Sequence, residues 1–229
     1  MSGKQEITLA AKCAPETSIL ADVEKAGITA VELYTNYEWL KKSKQVIQTC
    51  KKFPFRYAIH APTNCYEPDL LIEVSNEINA EVVVFHDIYF RDELEYIAAL
   101  FKTTKIIACV ENIHSVHEPV KFMRRFNMKR CLDLEHLQMQ CAGVYKEEFA
   151  SVMQQASHVH LTGYYYGSNL WHTHIHHSPQ HNEMLLKSLK ESGYSGFVVS
   201  EAKTDQQNVE EFVRLYDYFV KWQQRLCLI

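Results

Sequence analysis

Short apolar runs rich in β-branched residues recur along this chain at nearly even intervals, and most of them stop at a carboxylate or an imidazole. Tyr57–Ile59 stops at His60, Val82–Phe85 at His86, Ile106–Val110 at Glu111 and Phe197–Ser200 at Glu201. Cys131–Leu132 stops at Asp133, with His136 just beyond it, and His158–Val159 stops at His160. Runs of this length and composition read as strands buried on both faces. Parallel strands carry their like ends to one rim, so these polar residues are expected to converge there. Oxygen and imidazole nitrogen donors gathered in one place describe a metal site.

Between the runs lie helical patterns. The predicted units are strand Ile7–Ala11 with helix Pro15–Ala26, Ile28–Tyr34 with Tyr37–Lys52, Tyr57–His60 with Pro68–Asn79, and Glu81–His86 with Arg91–Phe101. Then come Lys105–Glu111 with His117–Phe126, Arg130–Asp133 with Tyr145–Ala156, His158–Leu161 with Asn182–Gly193, and Phe197–Glu201 with Asn208–Leu226. Eight βα units in 229 residues predict a single α/β domain, a closed (β/α)₈ barrel of the TIM type spanning residues 1–229. No Pro/Gly/Ser-rich linker divides the chain, and no GxGxxG turn supports a doubly wound sheet. One connection, Thr162–His181, carries no clear element, and loops of that length are usually functional or disordered.

Composition narrows the function classes. The formal net charge is −4 and only seven residues are arginine, so the basic stripe that nucleic acid requires is not expected. The nearest candidates, Lys41-Lys42 with Lys52 and Arg124-Arg125 with Arg130, read as solvated helix faces. No apolar stretch approaches the roughly 20 residues that span a bilayer, and the first residues lack the apolar core of a signal peptide. The seven cysteines form no CxxC pair and read as reduced core residues, which predicts a cytoplasmic protein.

The expected centre is the quartet Glu111, Asp133, His160 and Glu201, from the fifth to the eighth strands. Three carboxylates and one imidazole suit Mn²⁺, Mg²⁺, Co²⁺ or Zn²⁺. His60, His86 and His136 extend the ring as substrate contacts or additional ligands. The loop segment Trp171-His172-Thr173-His174-Ile175-His176-His177 is either a second source of metal ligands or a surface tip. Tyr164-Tyr165-Tyr166 is a candidate pocket wall, His114 and His117 read as solvent or capping residues, and Glu135 is expected to point outward.

Taken in order, His60-Ala-Pro, His86, Glu111-Asn, Asp133-Leu-Glu-His136, His160 and Glu201 resemble the xylose isomerase-like barrel superfamily. That superfamily groups sugar isomerases and epimerases with endonuclease IV of AP endonuclease family 2. The resemblance runs from the second strand onward, and its most specific parts are Asp133-x-x-His136 and Gly193-Tyr194-Ser195-Gly196 followed by Glu201. In the isomerase branch it implies that Glu111, Asp133, His160 and Glu201 hold one divalent metal. Glu111 and Glu201 would then be acid and base, moving a proton between adjacent carbons of a sugar or sugar phosphate through a metal-stabilised enediolate, with His136, His60 and His86 on the substrate. In the nuclease branch it implies up to three metals, with those histidines and an Asp-x-His after the seventh strand as further ligands. Here the chain has His172-Thr173-His174, making His172 and His174 the candidate ligands. No arginine lies between His160 and Glu201, where epimerases often place one to grip substrate. A metal-dependent sugar isomerase or epimerase is the leading expectation, with a multi-metal phosphoesterase and a non-catalytic barrel as alternatives. Pairing of outer helices into a homodimer is compatible with all three.

Overall fold

Strand residues that alternate between two buried faces can satisfy both only if one face lines a barrel and the other meets a layer of helices. The chain adopts this arrangement in a computed structural model that describes residues 6–63, 67–86, 91–141 and 151–226. Eight parallel strands, β1 (Thr8–Cys13), β2 (Ala30–Tyr34), β3 (Arg56–His60), β4 (Val82–His86), β5 (Ile107–Glu111), β6 (Lys129–Asp133), β7 (Ala156–Leu161) and β8 (Phe197–Ser200), pair in sequence order. β8 pairs back onto β1, so the fold is a closed (β/α)₈ barrel.

Outward positions such as Val31, Leu33, Ile59, Phe85, Val110 and Leu132 pack under the helices in the main core. Inward positions form a separate cluster of Ala10, Ala30, Ala58, Val82, Val84, Cys109, Cys131, Phe197 and Val199. The first three strands thus contribute alanines where later strands contribute larger residues. Space is left inside the barrel on that side, and polar side chains fill it (below). At the N-terminal end, Phe197 lies under the Arg56 guanidinium, 4.6 Å from ring to carbon. Arg56 is fixed there by two hydrogen bonds to Glu81 (2.7 and 2.8 Å) and one to the Thr8 hydroxyl (3.0 Å). This end of the cylinder is floored.

The helices follow the sequence pattern closely. α1 (Thr17–Lys25) buries Leu20 and Val23 and ends before Gly27, whose φ of +88° suits glycine and whose Hα faces the Tyr216 ring. α4 (Pro68–Glu77), α5 (Arg91–Phe101) and α6 (Pro119–Phe126) cover the next strands. Three features differ from expectation. The predicted helix over 37–52 is two, α2 (Tyr37–Lys41) capped by the Asn36 side chain and α3 (Ser43–Cys50), because Lys42 leaves helical geometry. A helix not expected, α7 (Leu134–Gln140), starts directly after β6, with Asp133 as its N-cap. Most of the helix expected at Tyr145–Ala156 lies outside the described residues, and Ala156 itself begins β7. The Thr162–His181 connection carries a 3₁₀ turn at Ile175–His177 and gives way to α8 at Pro179 (Pro179–Glu191). The chain ends in α9 (Val209–Leu226). Among the described residues no helix is long and apolar enough to cross a membrane.

Ala58 is fully buried and sits in register between Glu32 of β2 and Val82 of β4. Ala58→Leu should overpack the interior on its crowded polar side and cost about 1–3 kcal/mol, read as a lower denaturant midpoint at unchanged slope. An unchanged midpoint would show that the interior holds slack there.

Candidate functional site

The room left by Ala10, Ala30 and Ala58 is occupied by Lys12 of β1, Glu32 of β2, and His158 and His160 of β7. Glu32 is wholly buried, and its Oε2 accepts from His158 Nε2 (2.7 Å) and His160 Nε2 (3.1 Å). Lys12 Nζ lies 3.5 Å from the other oxygen of Glu32 and also donates to Glu201. Burial pushes the Glu32 carboxyl up, but His160, Lys12 and the His158 bond more than offset it, leaving Glu32 well below the usual carboxylate range. Burial likewise disfavours the Lys12 ammonium, and Glu201, Glu32 and Glu111 more than offset that, so Lys12 stays charged.

Above this column lies the rim. His160 Nδ1 faces Glu201 Oε1 at 3.0 Å, Glu111 Oε1 at 3.6 Å and Asp133 Oδ2 at 3.9 Å. It is buried and makes no aligned hydrogen bond. Glu111 Oε2 is 3.1 Å from His60 Nε2 and 3.4 Å from His86 Nε2, and His136 Nε2 is 3.8 Å from Glu111 Oε1. Asp133 divides its oxygens: Oδ1 caps α7 by accepting from His136 N (2.7 Å), leaving Oδ2 toward His160. The Asn112 side chain ties the two strand ends, accepting from Asp133 N and donating to Asp133 O (2.9 and 3.0 Å). All seven rim residues named from the sequence are therefore brought together: His60, His86, Glu111, Asp133, His136, His160 and Glu201.

The donor set fits a divalent cation. Three overlapping triads, His60–Glu111–His160, Glu111–Asp133–His136 and Asp133–His160–Glu201, each hold ligand atoms within 4.8 Å of one another. Burial together with the charges of Glu111 and Glu201 drives the Asp133 carboxyl well above its ordinary value, a crowding that a cation relieves. Burial lowers the His160 pKa, but Cys131, Glu32, Glu201 and Glu111 more than offset it and hold the ring charged. Glu32 accepts from Nε2, and a cation would replace the proton on Nδ1, which faces the three carboxylates. A carboxylate holding the far nitrogen in this way is how proteins orient a metal-binding histidine. His60 lies beside His160. Its Nδ1 contacts the carbonyl of Ala61 (3.1 Å), and its Nε2 contacts Glu111 Oε2 (3.1 Å) and His86 Nε2 (3.2 Å). Burial, with a smaller contribution from Lys12, lowers the ring pKa, and the bond to Glu111 opposes that.

The long loop behaves differently from its sequence reading. Glu135, expected to point outward, is buried, and its Oε2 accepts from the Thr162 hydroxyl (2.7 Å) and from His172 N (3.0 Å). The His172 ring pairs with Glu135 Oε1 (3.2 Å), and its backbone holds φ +44°, a strained value for a non-glycine. His174 is not at the rim. It is fully buried against Phe212, with Nδ1 on the Ser200 hydroxyl (3.0 Å) and Nε2 on the Gln206 carbonyl (3.3 Å). The alternating histidines therefore do not share one side. Of the three tyrosines, Tyr164 is buried and stacks on Trp171 at 3.9 Å, while Tyr165 and Tyr166 are exposed. Lys12, Glu32 and the role of His158 escaped the sequence reading. Their signal was a charged residue at an inward-alternating position inside an apolar run.

Burial, with a smaller contribution from His176, lowers the His174 pKa from 6.5 to about 4. The unfolded chain thus takes up a proton below pH 6.5 that the folded chain refuses until about 4. The contribution is nil above 6.5 and grows increasingly unfavourable as pH falls through that window. His174→Asn should therefore flatten the acid-side fall of the unfolding midpoint relative to the parent chain; parallel curves would contradict this origin.

No protein-family profile matches the chain, and no curated protein sequence matches it either. Solved structures do. A D-allulose 3-epimerase from Methylomonas sp. superposes with a TM-score of 0.65 at 12% identity, over 97% of this chain and 100% of that one. An uncharacterised protein from Parabacteroides distasonis gives 0.59 at 14% identity, over 96% and 98%. Phosphoribosylanthranilate isomerase from Thermotoga maritima gives 0.55 at 10% identity, over 93% and 97%. At these identities the likeness is one of fold.

Proposed function

We propose that this chain is a divalent-metal-dependent sugar or sugar-phosphate isomerase or epimerase of the xylose isomerase-like superfamily. The observation that carries this reading is the convergence of Glu111, Asp133 and Glu201 on the unbonded Nδ1 of His160. These four residues would hold one ion of the Mn²⁺, Mg²⁺, Co²⁺ or Zn²⁺ class. When bound, such an ion stabilises the negative charge that develops on a sugar's carbonyl and hydroxyl oxygens as a neighbouring C–H proton leaves.

The chain's own residues supply the proton transfer. Glu111 on β5 and Glu201 after β8 approach the centre from different sectors of the rim, which suits removal of a proton on one face of a carbon and return on the other or to its neighbour. Burial raises the Glu201 carboxyl, while Lys12 and His160 more than offset it, so Glu201 is ionised. His86 and His136 are the rim histidines partly open to solvent, with side chains 19% and 26% exposed, and are placed to hydrogen-bond a substrate hydroxyl. His60 is buried and holds Glu111 from behind. The seat of His174 against Ser200 and Gln206 favours this reading over a three-metal phosphoesterase. A sugar epimerase among the fold neighbours, also solved in complex with D-allulose, supports the substrate class.

Glu201→Gln should abolish exchange of a substrate C–H proton with D₂O; full exchange by that variant on a confirmed substrate would remove Glu201 from the proton path. Asp133→Asn combined with Glu201→Gln should lower the bound divalent metal by one equivalent per chain, and an unchanged content would end the metal reading. Glu32→Gln leaves the ligands in place but loosens His160, so metal affinity should fall about 10–100-fold in a calorimetric titration.

A further inference from the structure

A second cluster lies away from the rim, where the 3₁₀ turn Ile175–His177 meets the first turns of α9. His176 Nε2 is 3.1 Å and His177 Nε2 is 2.9 Å from the same oxygen, Oε2 of Glu211, and the three ligand atoms fall within 4.8 Å of one another. A tetrahedral zinc ion with bonds of about 2.0–2.1 Å to nitrogen and oxygen holds its donors roughly 3.3–3.4 Å apart. The two nitrogen–oxygen spacings thus need only a few tenths of an ångström of adjustment. His177 Nε2 donates to Glu211 Oε2 in an ordinary hydrogen bond. His176 is held less well: its Nε2 lies near Oε2 without an aligned hydrogen bond, and its buried Nδ1 has no partner among the described residues. A plain His177–Glu211 pair leaves that imidazole poorly satisfied, and a buried polar ring short of partners is costly.

The surroundings orient the group. The His174 ring stacks on His176 with centroids 5.9 Å apart, and the His176 and His177 rings lie 4.3 Å apart. Arg214 Nη1 holds the other oxygen of Glu211 at 2.9 Å, leaving Oε2 to the histidines, and Asn208 caps the Glu211 amide. The Arg214 charge opposes a cation, but its side chain is 63% exposed and therefore screened. Two imidazoles and one carboxylate suit zinc rather than Mg²⁺ or Ca²⁺.

We propose that His176, His177 and Glu211 form a peripheral Zn²⁺ site, with three protein ligands and the fourth position open to solvent beside the partly exposed His177. The site clamps the loop after β7 to α9. That loop is bonded to the end of β8 through Ser200, which accepts from Ile175 N, and to the rim through the His172–Glu135 pair. Zinc bound here stiffens the loop beside Glu201 without touching the rim.

The test is a Zn²⁺ titration of the full, tag-free chain by calorimetry, with Co²⁺ absorption as the spectroscopic probe. His177→Ala and Glu211→Gln should each remove one equivalent, or weaken it by at least about a hundredfold. They should do so equally in the parent chain and in the Asp133→Asn/Glu201→Gln background. Hydrogen exchange over residues 172–178 should slow on adding Zn²⁺ to the parent and not to either variant. Stoichiometry and exchange that are the same in parent and variants would overturn the proposal. Loss of an equivalent only with the rim variants would overturn it as well while leaving the rim centre intact. Glu211→Gln keeps side-chain size and helix cap, so its result stands if His177→Ala folds poorly.

Discussion

A carboxylate sealed inside a barrel is the interaction on which this molecule turns. Glu32 has no access to solvent, so its charge persists only because Lys12, His158 and His160 surround it. Removing one partner from such a buried group costs about 3–5 kcal/mol, because what remains is a charge without compensation. The alanines at 10, 30 and 58 make this arrangement possible by leaving volume that larger residues would fill. Packing and chemistry are therefore one problem here: the side of the barrel with the smallest interior residues is the side that holds the ions.

From Glu32 the constraint passes upward. By accepting a hydrogen bond from His160 Nε2 it leaves Nδ1 of that ring facing Glu111, Asp133 and Glu201. Those carboxylates crowd one another enough to drive the Asp133 carboxyl well above its ordinary value, through burial and the charges of Glu111 and Glu201. Lys12 answers part of the negative charge at Glu201 and, to a lesser degree, at Glu111. A rim balanced in this way is pre-set for a positive guest.

The strands and their polar ends were legible because a closed parallel barrel translates sequence position at a strand end into spatial position on the rim, with few intervening variables. Arg91–Phe101 and the end residues His60, His86, Glu111 and Asp133 fall where the pattern puts them. Lys12 and Glu32 were not legible. In a run such as Thr-Leu-Ala-Ala-Lys-Cys a lone charge reads as a strand edge, and nothing local reveals that a glutamate two strands' worth of sequence away will neutralise it. Asp133 hid α7 for a related reason, since a residue serving at once as rim carboxylate and helix cap shows only one role in a motif. Glu135 and His174 were misplaced because their burial is set by a loop that folds back over the barrel, a long-range event with no periodicity to announce it.

The floor made by Phe197 and Arg56 has its own consequence. With the interior packed from Ala10 to Val199 and Phe197 lying under the Arg56 guanidinium at that end, the barrel is a filled core and not a channel. Whatever visits the rim histidines enters and departs by the same doorway, so an outgoing molecule must clear before the next arrives. The loop spanning Trp171 to His177 stands beside that doorway, tied to Glu135 on one side and to Ser200 on the other.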